Sequence, residues 1–143
     1  MRRLQKFFMF VLCGFLLSLS SVNTYAEVDP SIVPDYVKKG LDEYKINGYE
    51  AAVSAWLADS PYSNAATMAS NIAFFRNIEK LAGTYVSYDI LMTKETISSN
   101  VVYVRMNFER VPGYILFTSI KRGNMWVLGR IQLDRMQRFG SSI

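Results

Sequence analysis

Between residues 84 and 135 the chain is dominated by β-branched and aromatic residues that alternate, and short turn signals cut it into four pieces. That stretch limits the fold more than any other, because alternation at period two calls for strands with a buried face. Residues 84–95 set Val86, Tyr88, Ile90 and Met92 on one face, and residues 100–110 do the same with Val102, Val104, Met106 and Phe108. The small polar residues at 96–99 bond readily to their own backbone, so a loop joins the two. Pro112 lacks a ladder donor and Gly113 tolerates positive φ, so the chain reverses there into a third strand at 114–121. Arg122-Gly123-Asn124 turns it again into a fourth at 125–135. Connections this short force an antiparallel meander, since parallel pairing needs a crossover of about a dozen residues.

Counting outward from Val111-Pro112 sets Glu109 opposite Tyr114, Phe108 opposite Ile115 and Met106 opposite Phe117. Tyr114, Leu116, Thr118 and Ile120 fall on the other face of the third strand. The fourth carries Trp126 and Leu128 on one side and Val127, Ile131 and Leu133 on the other. Both faces are therefore substantially apolar, which a sheet with one wet face would not show. Either the sheet curls around its own core, or helices cover one face and a second subunit or a ligand covers part of the other.

Residues 1–26 have the three-part layout of a secretory signal: basic Arg2, Arg3 and Lys6, an apolar run at 7–19, and a small polar end at Thr24-Tyr25-Ala26. The apolar run is shorter than the ~18 residues that span a bilayer. The expectation is cleavage near Ala26, export to the periplasm or beyond, one domain at 27–143, and no membrane span in the mature chain. Cys13, the only cysteine, leaves with the signal, so no disulfide is expected. The net charge of +4 shrinks to +1 once the three basic residues of the signal are removed, and nucleic acid is not an expected partner. The remaining charge is uneven, −3 over residues 27–83 and +4 over 84–143. Solvated surface accounts for a split of that size.

Three helices fit before the sheet. The first runs over 34–47 with Val37, Leu41 and Tyr44 at helical spacing and Asn47-Gly48 as its stop. The second covers 49–57 with Ala52, Val53, Trp56 and Leu57 in one stripe, and Asp59-Ser60-Pro61 ends it. The third covers 64–82, with Met68, Ile72, Phe75 and either Ile78 or Leu81 inward and Gly83 as its cap. Gly40 inside the first helix marks a close helix approach. The tail at 137–143 is expected to fray.

The order of helices followed by a curled meander resembles the nuclear transport factor 2-like superfamily, the α+β cone shared with ketosteroid isomerases. The points of likeness are Asn47-Gly48-Tyr49-Glu50-Ala51-Ala52, the passage from Ile78 through Gly83 to Tyr85, and Gly123-Asn124-Met125-Trp126 followed by Val127-Leu128. The resemblance implies a fold class of three N-terminal helices packed on a curled four-stranded antiparallel sheet. It also implies a cone whose open end holds an apolar ligand or active site, and a sheet face that pairs two copies. It fixes no substrate, because the fold hosts many functions.

The chain has no histidine, and no cysteine after residue 26, so imidazole bases, thiol nucleophiles and the usual zinc sites are excluded from residues 27–143. No glycine-rich phosphate loop is present. No cofactor or metal is called for. Asp89, Arg105 and Arg130 stand inside otherwise apolar strand text. A carboxylate such as Asp89 in an apolar cone would have a raised pKa and could move a proton beside a carbonyl, with Tyr85, Tyr88 or Tyr103 donating to the oxyanion. The plainer reading puts Asp89 and Arg105 on a solvated or ion-paired face. Trp56, Phe75, Phe108, Phe117 and Trp126, with Tyr62 and Phe74, are candidates to line a ligand pocket, although such residues more often simply form core.

Two functions follow. One is an exported, non-enzymatic module that binds a small apolar ligand or a partner protein, paired as a homodimer through the sheet face. The other is a cofactor-free lyase or isomerase that uses a strand carboxylate and a tyrosine.

Overall fold

The structure is a computed structural model and describes residues 28–134. The signal segment at 1–26 with Cys13, the tail at 137–143 and the end of the fourth strand at Arg135 lie outside the described residues. A 3-10 turn at Pro30–Ile32 leads into α1 (Asp35–Asn47), α2 (Tyr49–Leu57) and α3 (Ala65–Ala82). Strands β1 (Tyr85–Glu95), β2 (Ser99–Phe108), β3 (Gly113–Arg122) and β4 (Met125–Leu133) follow. They form one antiparallel sheet in the order β1-β2-β3-β4, an open sheet that does not close on itself. The fold is α+β, with helices before strands.

The helix boundaries follow local chemistry. Gly48 takes φ 84°, donates to the Tyr44 carbonyl at 3.0 Å and so stops α1. Asn64 caps α3 by accepting from the Thr67 amide at 2.9 Å, and Gly83 closes that helix at φ 86°. Inward residues match the helical spacing: Val37, Leu41 and Tyr44 on α1, and Ala52, Val53, Trp56 and Leu57 on α2. On α3 Phe75 is buried, Ile78 packs against the core, and Leu81 faces solvent.

α1 and α2 approach closely at Gly40. A Cβ there would fall inside van der Waals contact of the Trp56 indole, whose Nε1 donates to the Val37 carbonyl at 3.3 Å. From that seat Trp56 reaches Phe75 at 5.1 Å and Phe117 at 5.0 Å between ring centroids, linking α2 to α3 and to the sheet. Tyr44 adds contacts to Phe75 at 5.7 Å and Tyr85 at 4.5 Å. The helix-facing side of the sheet supplies Val102, Val104, Met106, Phe108, Ile115, Phe117 and Leu128 to the same cluster.

The sheet departs from simple alternation at three places. In β1, Val86 and Leu91 are extra residues in bulges, between Tyr85 and Ser87 and between Ile90 and Met92. Only Tyr88 and Ile90 of the four residues expected on one face pack on the core; Val86 is exposed, and Met92 pairs with Tyr103 on the outer face. In β4 the extra residue is Gly129, so Ile131 and Leu133 share the side of Leu128 rather than that of Val127. A Cβ at Gly129 would lie 3.1 Å from the Thr118 carbonyl oxygen, a separation only glycine accepts without adjustment.

The β2–β3 register is also corrected. Met106 pairs with Gly113, Val104 with Ile115 and Val102 with Phe117, so the expected pairs are shifted but every residue keeps its face. The cause lies in the connection. Glu109 and Arg110 donate their amides to the Thr84 and Ala82 carbonyls at 3.0 and 2.8 Å, and Glu109 Oε2 accepts from the Thr84 amide at 3.1 Å. Those residues are thus committed to the α3–β1 junction and cannot continue the ladder toward Tyr114.

Both sheet edges are interrupted. The β1 edge is broken by its two bulges, and on β4 the Ser60 hydroxyl donates to the Leu128 carbonyl at 2.7 Å.

Gly40→Ala should lower stability by about 2–3 kcal/mol, because overpacking against a buried indole outweighs the gain in helix propensity. Urea unfolding followed by circular dichroism would show this as a lower midpoint at unchanged slope; an unchanged or higher midpoint would refute the close approach.

Candidate functional site

The candidates for proton chemistry divide between the two faces of the sheet. Asp89 pairs with Arg105 across β1 and β2 on the outer face. Its Oδ2 accepts from Arg105 Nη2 at 2.8 Å, Arg105 Nε at 3.1 Å and Asn107 Nδ2 at 2.9 Å. The hydrogen bond from Asn107, and then that from Arg105, hold the Asp89 carboxyl below the ordinary carboxylate value. A general base near neutrality needs the opposite shift, and nearly half of each side chain in the pair is exposed. Tyr85 lies in the core on the helix side, and Tyr88 packs against that core. Burial raises the pKa of both. Arg130 is exposed on β4 opposite Thr118.

The aromatic candidates are mostly structural in position. Trp56, Phe75, Phe108 and Phe117 are buried and belong to one core cluster. Phe74 packs edge-on against Phe75 at 5.0 Å, and Tyr62 is exposed between α2 and α3. Trp126, one of the five pocket candidates, lines a cleft of about 400 Å3. A second space of about 20 Å3 lies between Trp56 and Trp126, too small for more than a water.

The cleft sits where the start of α1, the α2–α3 connection and the β3–β4 hairpin converge. Tyr36 forms part of its lining and shares a hydrogen bond of 2.7 Å with the fully buried Ser119 hydroxyl. Burial pushes the Tyr36 phenol up to about 12, against a smaller lowering by that hydrogen bond. No local signal in the sequence marks this site, because its walls come from the 3-10 turn, the start of α1, the loop after α2 and the ends of β1 and β4, far apart in the chain.

The outer face of the sheet is the other candidate surface. All three helices contribute to the cluster on the opposite side. Nevertheless Tyr103 and Val127, on the outer face, are buried and stand outside that cluster. Tyr103 stacks on Tyr114 at 6.1 Å. Val101, Leu116 and Ile120 around them are half-buried, and Met92 is exposed.

Comparison with protein-family models, with curated proteins and with solved structures finds no match, and nothing in it identifies the superfamily named above as a resemblance. Among the described residues no helix is long and apolar enough to cross a membrane.

Two pH effects follow. The lowered Asp89 pKa stabilises the fold above the unfolded-state value near 4 and loses that contribution as pH falls through the folded-state value. Carboxyl NMR titration should find Asp89 below the ordinary range, and Asn107→Ala should move it upward; an Asp89 titrating above the ordinary range would restore the proton-transfer reading. The raised tyrosines act at the other end. Their contribution is complete below about 10 and is lost as pH climbs through about 12, the value reached by Tyr36 and Tyr103. Absorbance at the phenolate band should therefore show a group of tyrosines that ionise only together with unfolding.

Proposed function

We propose that this chain is an exported, non-enzymatic binding module whose working surface is the outer face of its sheet, and that the occupant of that face is a second copy of the chain. The observation that carries this reading is the apolar character of a face that the helices do not cover. Val101, Tyr103, Leu116, Ile120 and Val127 occupy it across three strands. The same face also carries Asp89, Arg105, Thr118, Arg130 and Gln132, so these apolar residues form a patch within it, and a fully solvated antiparallel face would interpose polar residues there.

The size of the face and the state of its edges favour pairing face to face. Four strands about 4.8 Å apart and about 30 Å long offer on the order of 600 Å2 in projection. That approaches the ~800 Å2 per partner of a standard stable interface. The interrupted edges of β1 and β4 make strand-to-strand joining the poorer route. Asp89, Arg105 and Asn107 would enter such an interface with their hydrogen bonds already made, which limits the cost of desolvating them. Export rests on the layout of residues 1–26.

The reading as a carrier of an apolar ligand inside the core has less support, since Trp56, Phe75 and Phe117 fill that space against one another. The enzymatic reading loses its proposed base, as Asp89 is ion-paired on the open side.

Native mass spectrometry and analytical ultracentrifugation of the chain recovered from its own compartment should give a dimer that persists at about 10 μM, beginning at Glu27. Leu116→Lys should weaken it at least about 100-fold while the far-ultraviolet circular dichroism stays the same. A wild-type monomer at that concentration, or an unaffected variant dimer, would reject the interface. A chain that still carries residues 1–26 would reject the processing.

A further inference from the structure

The charges on the outer face of the sheet are ordered along the strands. Cross-strand pairing lines Lys94, Val101, Thr118 and Arg130 into one row that runs from β1 to β4. The next row on that face holds Met92, Tyr103, Leu116 and Gln132 and carries no charge. In the row beyond it Asp89 pairs with Arg105 and Arg105 with Tyr114, and the Asp134 amide donates to the Tyr114 carbonyl at 2.7 Å, which sets Asp134 at the β4 end. Leu133 pairs with the buried Ile115, so alternation turns the Asp134 side chain outward, where its carboxylate accepts from the Tyr103 hydroxyl. A row with cations on its outer strands and a row with carboxylates on the same strands thus flank a neutral one.

The cations of the first row have no opposite charge within their own copy. Lys94 and Arg130 are exposed, and among the described residues neither belongs to an ion pair. At the other end Asp89 receives Arg105 and Asn107 on Oδ2, so Oδ1 keeps its capacity to accept. Packed sheets lie about 10 Å apart, a gap that lysine and arginine side chains reach across.

We propose that these rows select how two copies lie against each other: the two-fold axis follows the neutral row, across the strands, so that Lys94 of each copy meets Asp89 of the other and Arg130 meets Asp134. The inference rests on the face-to-face pairing proposed above. Two identical facing sheets are related by an axis in the plane between them, and sheets that pack with their strands roughly aligned leave that axis two directions. An axis along the strands would set Lys94 against Arg130 and Asp89 against Asp134, so every such meeting would join like charges. The axis across the strands converts each into an opposite-charge contact and leaves Arg105 in its own pair with Asp89. Tyr103 and Leu116 then face their own counterparts at the axis, in the apolar middle of the patch.

Dimer dissociation constants of the purified full-length chain, from analytical ultracentrifugation, test the orientation separately from the pairing. Raising sodium chloride from about 50 to about 500 mM should loosen the dimer, whereas an axis along the strands predicts tightening, because salt would then screen repulsion. Lys94→Glu and Arg130→Glu should each weaken the dimer at least about tenfold at unchanged far-ultraviolet circular dichroism, since each change appears twice in the pair. Adding Asp134→Arg to Arg130→Glu should recover most of that loss. In a chain carrying Cys13→Ser, a short bismaleimide should join two copies of the Met92→Cys variant, because the neutral row faces itself. A dimer that tightens with salt or with either glutamate substitution, or that is not joined at position 92, would overturn this orientation and leave the apolar face as the interface. A wild-type monomer would remove both.

Discussion

The seat of Trp56 over Gly40 governs the rest of the architecture. Two helices joined by a single residue, Gly48, can pack tightly only if one of them lacks a side chain at the crossing, and α1 meets that need at Gly40. The indole then lies close to the α1 backbone, satisfies its one donor on the Val37 carbonyl, and turns its remaining surface toward α3 and the sheet. Tyr44, Phe75, Phe108 and Phe117 arrange themselves around it. A filled aromatic core of this kind has little room for a guest. Binding is therefore proposed at the surface of the molecule rather than in its core.

Much of the fold could be read from the residues alone, for identifiable physical reasons. Helix ends were legible because Gly48, Asn64 and Gly83 carry their own conformational or capping signal. Strand number and direction were legible because the connections are too short for any other arrangement. The bulges at Val86, Leu91 and Gly129 were not, because an inserted residue leaves the local text as β-prone as before and shows only in the partner strand. The β2–β3 register failed for a related reason: Glu109 and Arg110 read as the end of the second strand, yet their amides are used by Thr84 and Ala82, a tie between segments about 25 residues apart.

The candidate sites followed the same division. That Asp89 and Arg105 would form an ion pair on an open face was available from period-two alternation, and the geometry adds Asn107 as the third member. The cleft was not available, since Asp35, Asp59, Glu95 and Trp126 belong to four different elements or loops and no pairwise spacing announces their meeting. The aromatic residues illustrate the converse. Trp56 and Trp126 are alike as sequence, but the first is sealed at 1% exposure and the second lines a cleft.

The hydroxyl of Ser60 on the Leu128 carbonyl is a small contact with a bearing on how the molecule behaves in a crowd. An open sheet exposes two rows of unpaired amides and carbonyls, and each is a template on which another chain can add a strand and propagate a fibre. Here one row is interrupted where the loop after α2 holds the Leu128 carbonyl, and the other is bent out of line by its bulges. Polymerisation by strand addition is thereby denied a straight starting edge, and a sheet with an apolar face can meet its own kind in a closed pair without seeding an endless one.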